Sequence, residues 1–134
     1  MLEFNSKEAH LFTTPIWEVM IKNVDNQAIK QYALGLRDKY PGAKISNRGG
    51  WHSKELDTPL PQALDELIND LTMFINQYCG QITGINDLIL GNWWININGK
   101  HNYNTEHDHQ NSVLSAVYYV EVLADNTGGL VLHR

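Results

Sequence analysis

The chain has 134 residues, 43% hydrophobic and 19% charged, a composition that suits one globular domain with its own core and excludes a disordered chain. Its net charge of −5 and its scattered lysines and arginines disfavour a nucleic-acid interface, which requires a basic stripe. The single cysteine excludes an internal disulfide and a zinc site built from cysteines. The N-terminus lacks a signal-peptide pattern and no apolar run could span a bilayer, so we expect a cytoplasmic protein without membrane contacts.

The first part of the chain, residues 1–84, is predicted to be mainly helical. After a strand over residues 11–21, apolar residues at helical spacing predict a helix over 25–40, with an aspartate in the capping position. The polar segment 43–57 contains an Asn-Arg-Gly-Gly run and predicts a loop. A second helix is predicted over 58–80, with its proline at the first helical position and a glycine at its end.

The second part, residues 85–134, is predicted to form β-strands. Residues 88–99 alternate between apolar and polar side chains, and residues 112–123 are rich in β-branched and aromatic residues. A Gly-Gly turn then precedes a further strand near the end of the chain. Together these patterns predict a single α+β domain over 1–134, with helices packed on antiparallel strands.

Two histidines two residues apart, His107 and His109, form the most informative motif. Residues i and i+2 of an extended chain point to the same side, so both imidazoles can bind one ion while Asp108 points away. Neutral imidazoles suit Fe(II), zinc, nickel or copper. The same spacing also occurs in solvated turns, so the spacing alone leaves both interpretations open. The chain has neither an H-E-x-x-H motif nor a cysteine pair, which excludes a metzincin or a zinc deaminase.

The order of motifs around this pair resembles that of the 2-oxoglutarate/Fe(II)-dependent oxygenases. A predicted strand that contains tryptophans and asparagines is followed by "NYNTEHDH", "SVLSAVYYV" and "TGGLVL", and "SNRGGWHS" lies upstream. This order is similar to that of a branch of small, prolyl-hydroxylase-like oxygenases of marine phages and bacteria. The resemblance implies a double-stranded β-helix (jelly roll), the cofactors Fe(II) and 2-oxoglutarate, and hydroxylation of a small-molecule or peptide substrate. For a phage-encoded protein the location would be the host cytoplasm.

The resemblance also implies roles for individual residues. His107 matches the first iron ligand, and His109 stands where the family usually has an acidic ligand. The other implied positions contact cosubstrate or substrate: Tyr119, Ser115, Asn96 and Tyr103 for 2-oxoglutarate, and Trp51 and Asn98 for the substrate. Each of these residues has a structural alternative. The tyrosines could be ordinary aromatic residues of a sheet, the asparagines could lie on the solvent-exposed face of a strand, and Trp51 could pack a loop onto the core.

The family places a third ligand, a histidine, and a basic residue for 2-oxoglutarate further downstream than Arg134. We therefore expect a jelly roll that is incomplete at the C-terminus, with an open sheet edge through which a second copy could pair. Two other functions stay open. One is an inactive or structural binding protein on the same scaffold, and the other is a cupin-like metalloprotein that does not use 2-oxoglutarate.

Overall fold

Two helices and two small antiparallel sheets make up the α+β chain. The computed structural model describes residues 14–54, 56–80, 84–85, 87–123 and 128–133. Its elements in chain order are α1 (Asn26–Lys39), β1 (Asn47–Arg48), β2 (Trp51–His52), α2 (Gln62–Phe74) with a π-helical extension (Ile75–Cys79), β3 (Asn96–Ile97) and β4 (Tyr103–Asn104). None of the helices in these ranges combines the length and apolar character needed to cross a membrane.

Helix α1 confirms the first helix prediction. Asp25 caps it, since its Oδ1 accepts a 3.0 Å hydrogen bond from the Ala28 backbone N–H, one of the amides that a helix start leaves without a partner. The helix buries Ile29, Ala33 and Leu36 on one face. It ends at an extended Tyr40, as expected for a residue that precedes a proline.

Helix α2 begins four residues later than the sequence predicts. Pro61 disfavours a helical conformation at Leu60, so the first helical turn forms only after Pro61. The Pro61 carbonyl then accepts the first hydrogen bonds of the helix, from the N–H groups of Leu64 and Asp65. The helix continues through Phe74 and widens into the π-helical turn, in which Cys79 is buried. Burial raises the pKa of the Cys79 thiol.

The core lies where the two helices meet. Ile29 of α1 packs with Leu64 and Leu67 of α2, and half-buried residues of the later chain complete the cluster, among them Trp93, Tyr118 and Val120. Polar contacts hold the later segment on α1: the Tyr118 hydroxyl donates to Asn26 Oδ1 at 2.9 Å, and Lys30 pairs with Glu121 at 2.7 Å.

Asp57 joins the end of α1 to the segment before α2. Its carboxylate accepts hydrogen bonds from Lys39 Nζ at 2.8 and 3.0 Å and from the Tyr40 hydroxyl at 2.7 Å. Its backbone carbonyl accepts from the Tyr32 hydroxyl at 2.8 Å. The Lys39 hydrogen bond, followed by that of Tyr40, lowers the pKa of Asp57, and the same contacts raise the pKa of Lys39.

Residues 46–53 lie antiparallel to residues 95–105, and this pairing forms both sheets. Strand β1 pairs with β4, with Asn47 opposite Asn104, and β2 pairs with β3, with His52 opposite Asn96. Between the two sheets, Gly49 and Gly50 face the chain between β3 and β4. The prediction of a loop over 43–57 was therefore wrong for the four residues of β1 and β2. These two strands form by pairing with distant residues and show no local alternating pattern.

The other predicted strands form little or no ladder in the described chain. Of residues 88–99 only β3 pairs, and neither 14–21 nor 112–123 has a strand partner among the described residues. Burial within 112–123 nevertheless follows strand parity, with Leu114, Tyr118 and Val120 half-buried. The start of the predicted strand 11–21, part of the turn before Gly128, and Arg134 lie outside the described residues.

Candidate metal site

The two histidines of the motif converge, as their spacing predicts. His107 Nε2 and His109 Nε2 lie 3.1 Å apart, and the ring centroids are separated by 5.0 Å with the planes tilted by 41°. Both side chains are exposed, in the segment that follows β4. Asp108 does not join them, and its carboxylate accepts a long 3.5 Å hydrogen bond from the Gln110 amide.

The separation of the two Nε2 atoms matches that of two ligands on one ion. With metal–nitrogen bonds of about 2.0–2.1 Å, nitrogen atoms that lie 3.1 Å apart subtend an angle of about 95–102° at the metal. This angle lies between the values for octahedral and tetrahedral coordination. The separation of the two Nε2 atoms is therefore compatible with both imidazoles binding one divalent ion.

The remaining ring nitrogens hold the two imidazoles in orientation. His107 Nδ1–H donates to the backbone carbonyl of Thr105 at 2.7 Å, and His109 Nδ1 lies 2.9 Å from the hydroxyl oxygen of Ser115. A carbonyl only accepts, so neutral His107 carries its proton on Nδ1 and directs a lone pair from Nε2. Such outer contacts fix the tautomer and ring direction of metal-binding histidines.

Aromatic rings support His109 from a second direction. The ring of Trp94 meets His109 edge-on, at 5.4 Å between centroids and 76° between planes. The other neighbour of Trp94 is His52, which stacks on it at 5.5 Å and 13°. His52 is buried, and its Nδ1–H donates to the Ser53 carbonyl at 2.7 Å.

The pair could supply two ligands, and the described histidine, cysteine, aspartate and glutamate side chains form no group of three. No group of three or more histidine, cysteine, aspartate or glutamate side chains with metal-binding geometry occurs in the part of the chain that the structure describes. The donor set fits Fe(II) as far as it goes, because two neutral imidazoles form part of the usual non-haem iron site.

One of the predicted cosubstrate residues lies against the pair. Ser115 contacts His109 directly, a contact that the resemblance did not predict. Tyr119 has the same strand parity as Ser115, and its side chain is 58% exposed. Tyr118 lies on the opposite side, against α1. The structure thus separates the two adjacent tyrosines: Tyr118 packs against α1, and Tyr119 is exposed.

The remaining predicted residues have other contacts in the structure. Asn98 Nδ2 donates to Asn104 Oδ1 at 3.1 Å, and Asn96 sits in β3 with an exposed side chain. Tyr103 is exposed in β4. Trp51 is half-buried, and its indole N–H donates at 3.0 Å to the carbonyl of Tyr40 at the end of α1. The structure does not bring these four side chains into contact with the histidine pair.

Sequence reasoning missed two residues that contact the pair, Thr105 and Trp94, and also His52, which stacks on Trp94. A weak pattern was available for Trp94 alone, because the alternation of 88–99 places it on the polar face with Asn96. His52 appeared only as a residue of a polar loop. The contact that links His52 to His109 through Trp94 joins positions far apart in the chain, and no local pattern encodes it.

Comparison with known proteins gives one match. Residues 92–133 match the model of a family described as "Putative 2OG-Fe(II) oxygenase". The match covers about a third of the chain and includes both histidines, Ser115 and Tyr119. It supports the resemblance to the 2-oxoglutarate/Fe(II)-dependent oxygenase superfamily. Searches of curated proteins and of solved structures found no significant match.

Proposed function

We propose that this protein is a non-haem Fe(II)- and 2-oxoglutarate-dependent dioxygenase of the hydroxylase type. The observation that carries the proposal is the His107–His109 pair, with two Nε2 atoms 3.1 Å apart inside the segment that matches the oxygenase family. A solvated turn would not require both rings to be held through their other nitrogens. Here the Thr105 carbonyl and the Ser115 hydroxyl hold them.

His107 and His109 would hold the iron. Bound iron and 2-oxoglutarate supply the oxidising chemistry of such enzymes, and the protein supplies binding and orientation. Thr105 keeps the lone pair of His107 Nε2 directed at the shared position. Ser115 does the same for His109 when its hydroxyl accepts a hydrogen bond from Nδ1. Since the two imidazoles are neutral, the pair leaves the full charge of the ion to attract an anionic cosubstrate.

We place the cosubstrate on the exposed side of the 112–123 segment. Tyr119 is exposed four residues after Ser115, and a phenol can donate to a carboxylate such as the distal one of 2-oxoglutarate. Asn96 and Tyr103 would add polar contacts to 2-oxoglutarate, whereas Asn98 and Trp51 would lie toward the substrate. The substrate class that the resemblance implies is a small molecule or a peptide.

The family match favours a double-stranded β-helix as the scaffold of the single domain. Residues 112–123 and 128–133 would supply strands to it, and several of their apolar side chains are exposed: Val113, Val117, Val122, Leu123, Leu130, Val131 and Leu132. Neither segment has a strand partner in the described chain, and the backbone N–H and C=O groups of an unpaired strand can pair with further strands. A second copy of the chain is one source of such strands.

Anaerobic titration with Fe(II) and 2-oxoglutarate tests the proposal. We expect the visible charge-transfer band of the chelated complex in the wild type and its loss in His107→Ala and in His109→Ala. The matched control is His101→Asn, since His101 is exposed, lies outside the pair and has a φ of 66°, which asparagine tolerates.

The possible results separate the candidate functions. A band that survives in both alanine variants would contradict the assignment of the metal ligands. Metal binding that depends on the pair but not on 2-oxoglutarate would indicate a cupin-like metalloprotein. No binding of metal under any condition would indicate a non-catalytic binding protein on the same scaffold.

A further inference from the structure

The 46–53 segment has an unusual concentration of buried polar side chains. Ser46, Asn47, His52 and Ser53 are all buried, with exposed fractions of 4–7%. Buried polar groups are costly unless they are hydrogen-bonded. In the described chain none of the fully buried side-chain nitrogen or oxygen atoms lacks a partner. The segment is therefore held in one conformation by a satisfied polar network.

One end of this segment controls the contact that orients His107. The Ser46 carbonyl accepts two hydrogen bonds from Thr105, at 2.9 Å from its backbone N–H and at 3.2 Å from its hydroxyl. The Ser46 hydroxyl accepts from Asn104 Nδ2 at 2.9 Å. These bonds fix the backbone of Thr105, whose own carbonyl accepts from His107 Nδ1–H.

The other end controls the ring contacts of His109. Ser53 exchanges hydrogen bonds with Ile95, at 2.9 Å from Ser53 N–H to the Ile95 carbonyl and at 2.9 Å from Ile95 N–H to Ser53 Oγ. This exchange sets the register that brings His52 onto the face of Trp94. Trp94 stacks on His52 and packs edge-on against His109, so it connects the two histidines.

We infer that the 46–53 segment is the positioning platform of the metal-binding pair, acting on His107 through Thr105 and on His109 through His52 and Trp94. The segment lies outside the residues that match the oxygenase family, so the match does not assign it this role. The inference rests on the proposed function, because it requires that the pair binds a metal ion.

The test measures binding of Co(II) alone by calorimetry, without 2-oxoglutarate and without turnover. His52→Leu and Trp94→Leu remove the ring contacts, and His52→Phe and Trp94→Phe retain an aromatic ring at each position. Loss of an outer-shell partner costs about 10- to 100-fold in metal affinity. We expect about tenfold weaker binding in each leucine variant, and phenylalanine variants within about threefold of the wild type.

A second readout reports the position of Trp94 itself. Its ring lies 5.4 Å from that of His109, so Co(II) bound at the pair should quench its fluorescence. Trp94→Phe should keep the affinity but reduce the quenching, since Trp94 is the tryptophan whose ring the structure places against His109. Quenching unchanged in Trp94→Phe would contradict the placement of this ring.

Thermal unfolding of the metal-free variants separates positioning from folding. His52 is buried, so if His52→Leu does not fold, the decision rests on the half-buried Trp94 pair of variants. Folded leucine variants that bind Co(II) as tightly as the wild type would overturn the inference. Wild-type binding in His107→Ala would instead overturn the proposed function, so the two failures are distinguishable.

Discussion

Replacing Ser115 with alanine isolates one contact of the candidate metal site. The hydroxyl lies 2.9 Å from His109 Nδ1, and both side chains are exposed. A hydrogen bond in a protein contributes about 0.5–1.5 kcal/mol net. Because 1.4 kcal/mol corresponds to a tenfold change, losing this bond should weaken metal binding by about 2- to 12-fold. Since His109 is exposed and water can replace the hydroxyl, we expect the lower half of this range.

The assay is calorimetric titration of metal-free protein with Co(II), with and without 2-oxoglutarate. Ser112→Ala is the matched control. Ser112 is exposed and lies near His109, but the bond that joins them runs from the Ser112 backbone N–H to the His109 carbonyl, and alanine keeps it. Equal affinities for Co(II) in Ser115→Ala and the wild type would refute the positioning role. If only the affinity for 2-oxoglutarate then fell, Ser115 would be the cosubstrate contact that the family resemblance implies.

Three further predictions concern the stability of the fold. Asp57→Asn should unfold at lower temperature than the wild type at neutral pH. The Lys39 contact lowers the pKa of Asp57, so the Asp57 carboxylate stabilises the fold at neutral pH, and this stabilisation is lost as the pH falls below about 4. Denaturant titrations should therefore give similar free energies of unfolding for Asp57→Asn and the wild type at low pH. Gly49 has a φ of 81° and lies against the side-chain amide of Asn102, so Gly49→Ala should lower the free energy of unfolding by about 1–2 kcal/mol or more. Gly35 lies in open space on α1, so Gly35→Ala should raise it by about 0.5–1 kcal/mol. Denaturant titration of both variants gives the comparison. Leu64→Ala should cost about 2–5 kcal/mol by the same measurement, and a cost below 1 kcal/mol would contradict its place in the core.

Local patterns were sufficient for the parts of the fold that depend on neighbours in the chain. Helix α1 follows from the apolar spacing of Ile29, Ala33 and Leu36 and from the Asp25 cap. That His107 and His109 share a side follows from their spacing of two residues, whereas the contacts that hold the two rings do not. In each case the information that decides the geometry lies within a few residues.

Contacts between distant segments were beyond the same reasoning. Strands β1 and β2 are two residues each, and their register is set by bonds such as Thr105 N–H to the Ser46 carbonyl. A segment of two residues has no periodicity to detect, and its glycines predicted a turn. The start of α2 was misplaced for a different reason, since the second proline, Pro61, excludes helix at the residue before it.

The hydroxyl at position 115 suits the pair in both of its states because it can donate and accept. Two facing Nε2 lone pairs would repel, so a 3.1 Å contact between neutral rings requires a proton on one Nε2; since the Thr105 carbonyl fixes the proton of neutral His107 on Nδ1, that proton would belong to His109. Its Nδ1 then accepts from the Ser115 hydroxyl. If the proposed cation binds, both Nε2 atoms would have to be unprotonated, and His109 would then donate from Nδ1 to the Ser115 hydroxyl. His107 needs no such change, because the Thr105 carbonyl fixes its proton on Nδ1 in either state. Under the proposed function, the asymmetry between a carbonyl and a hydroxyl would allow the two rings to be hydrogen-bonded to each other in one proton arrangement and would leave both Nε2 atoms free to act as ligands in the other.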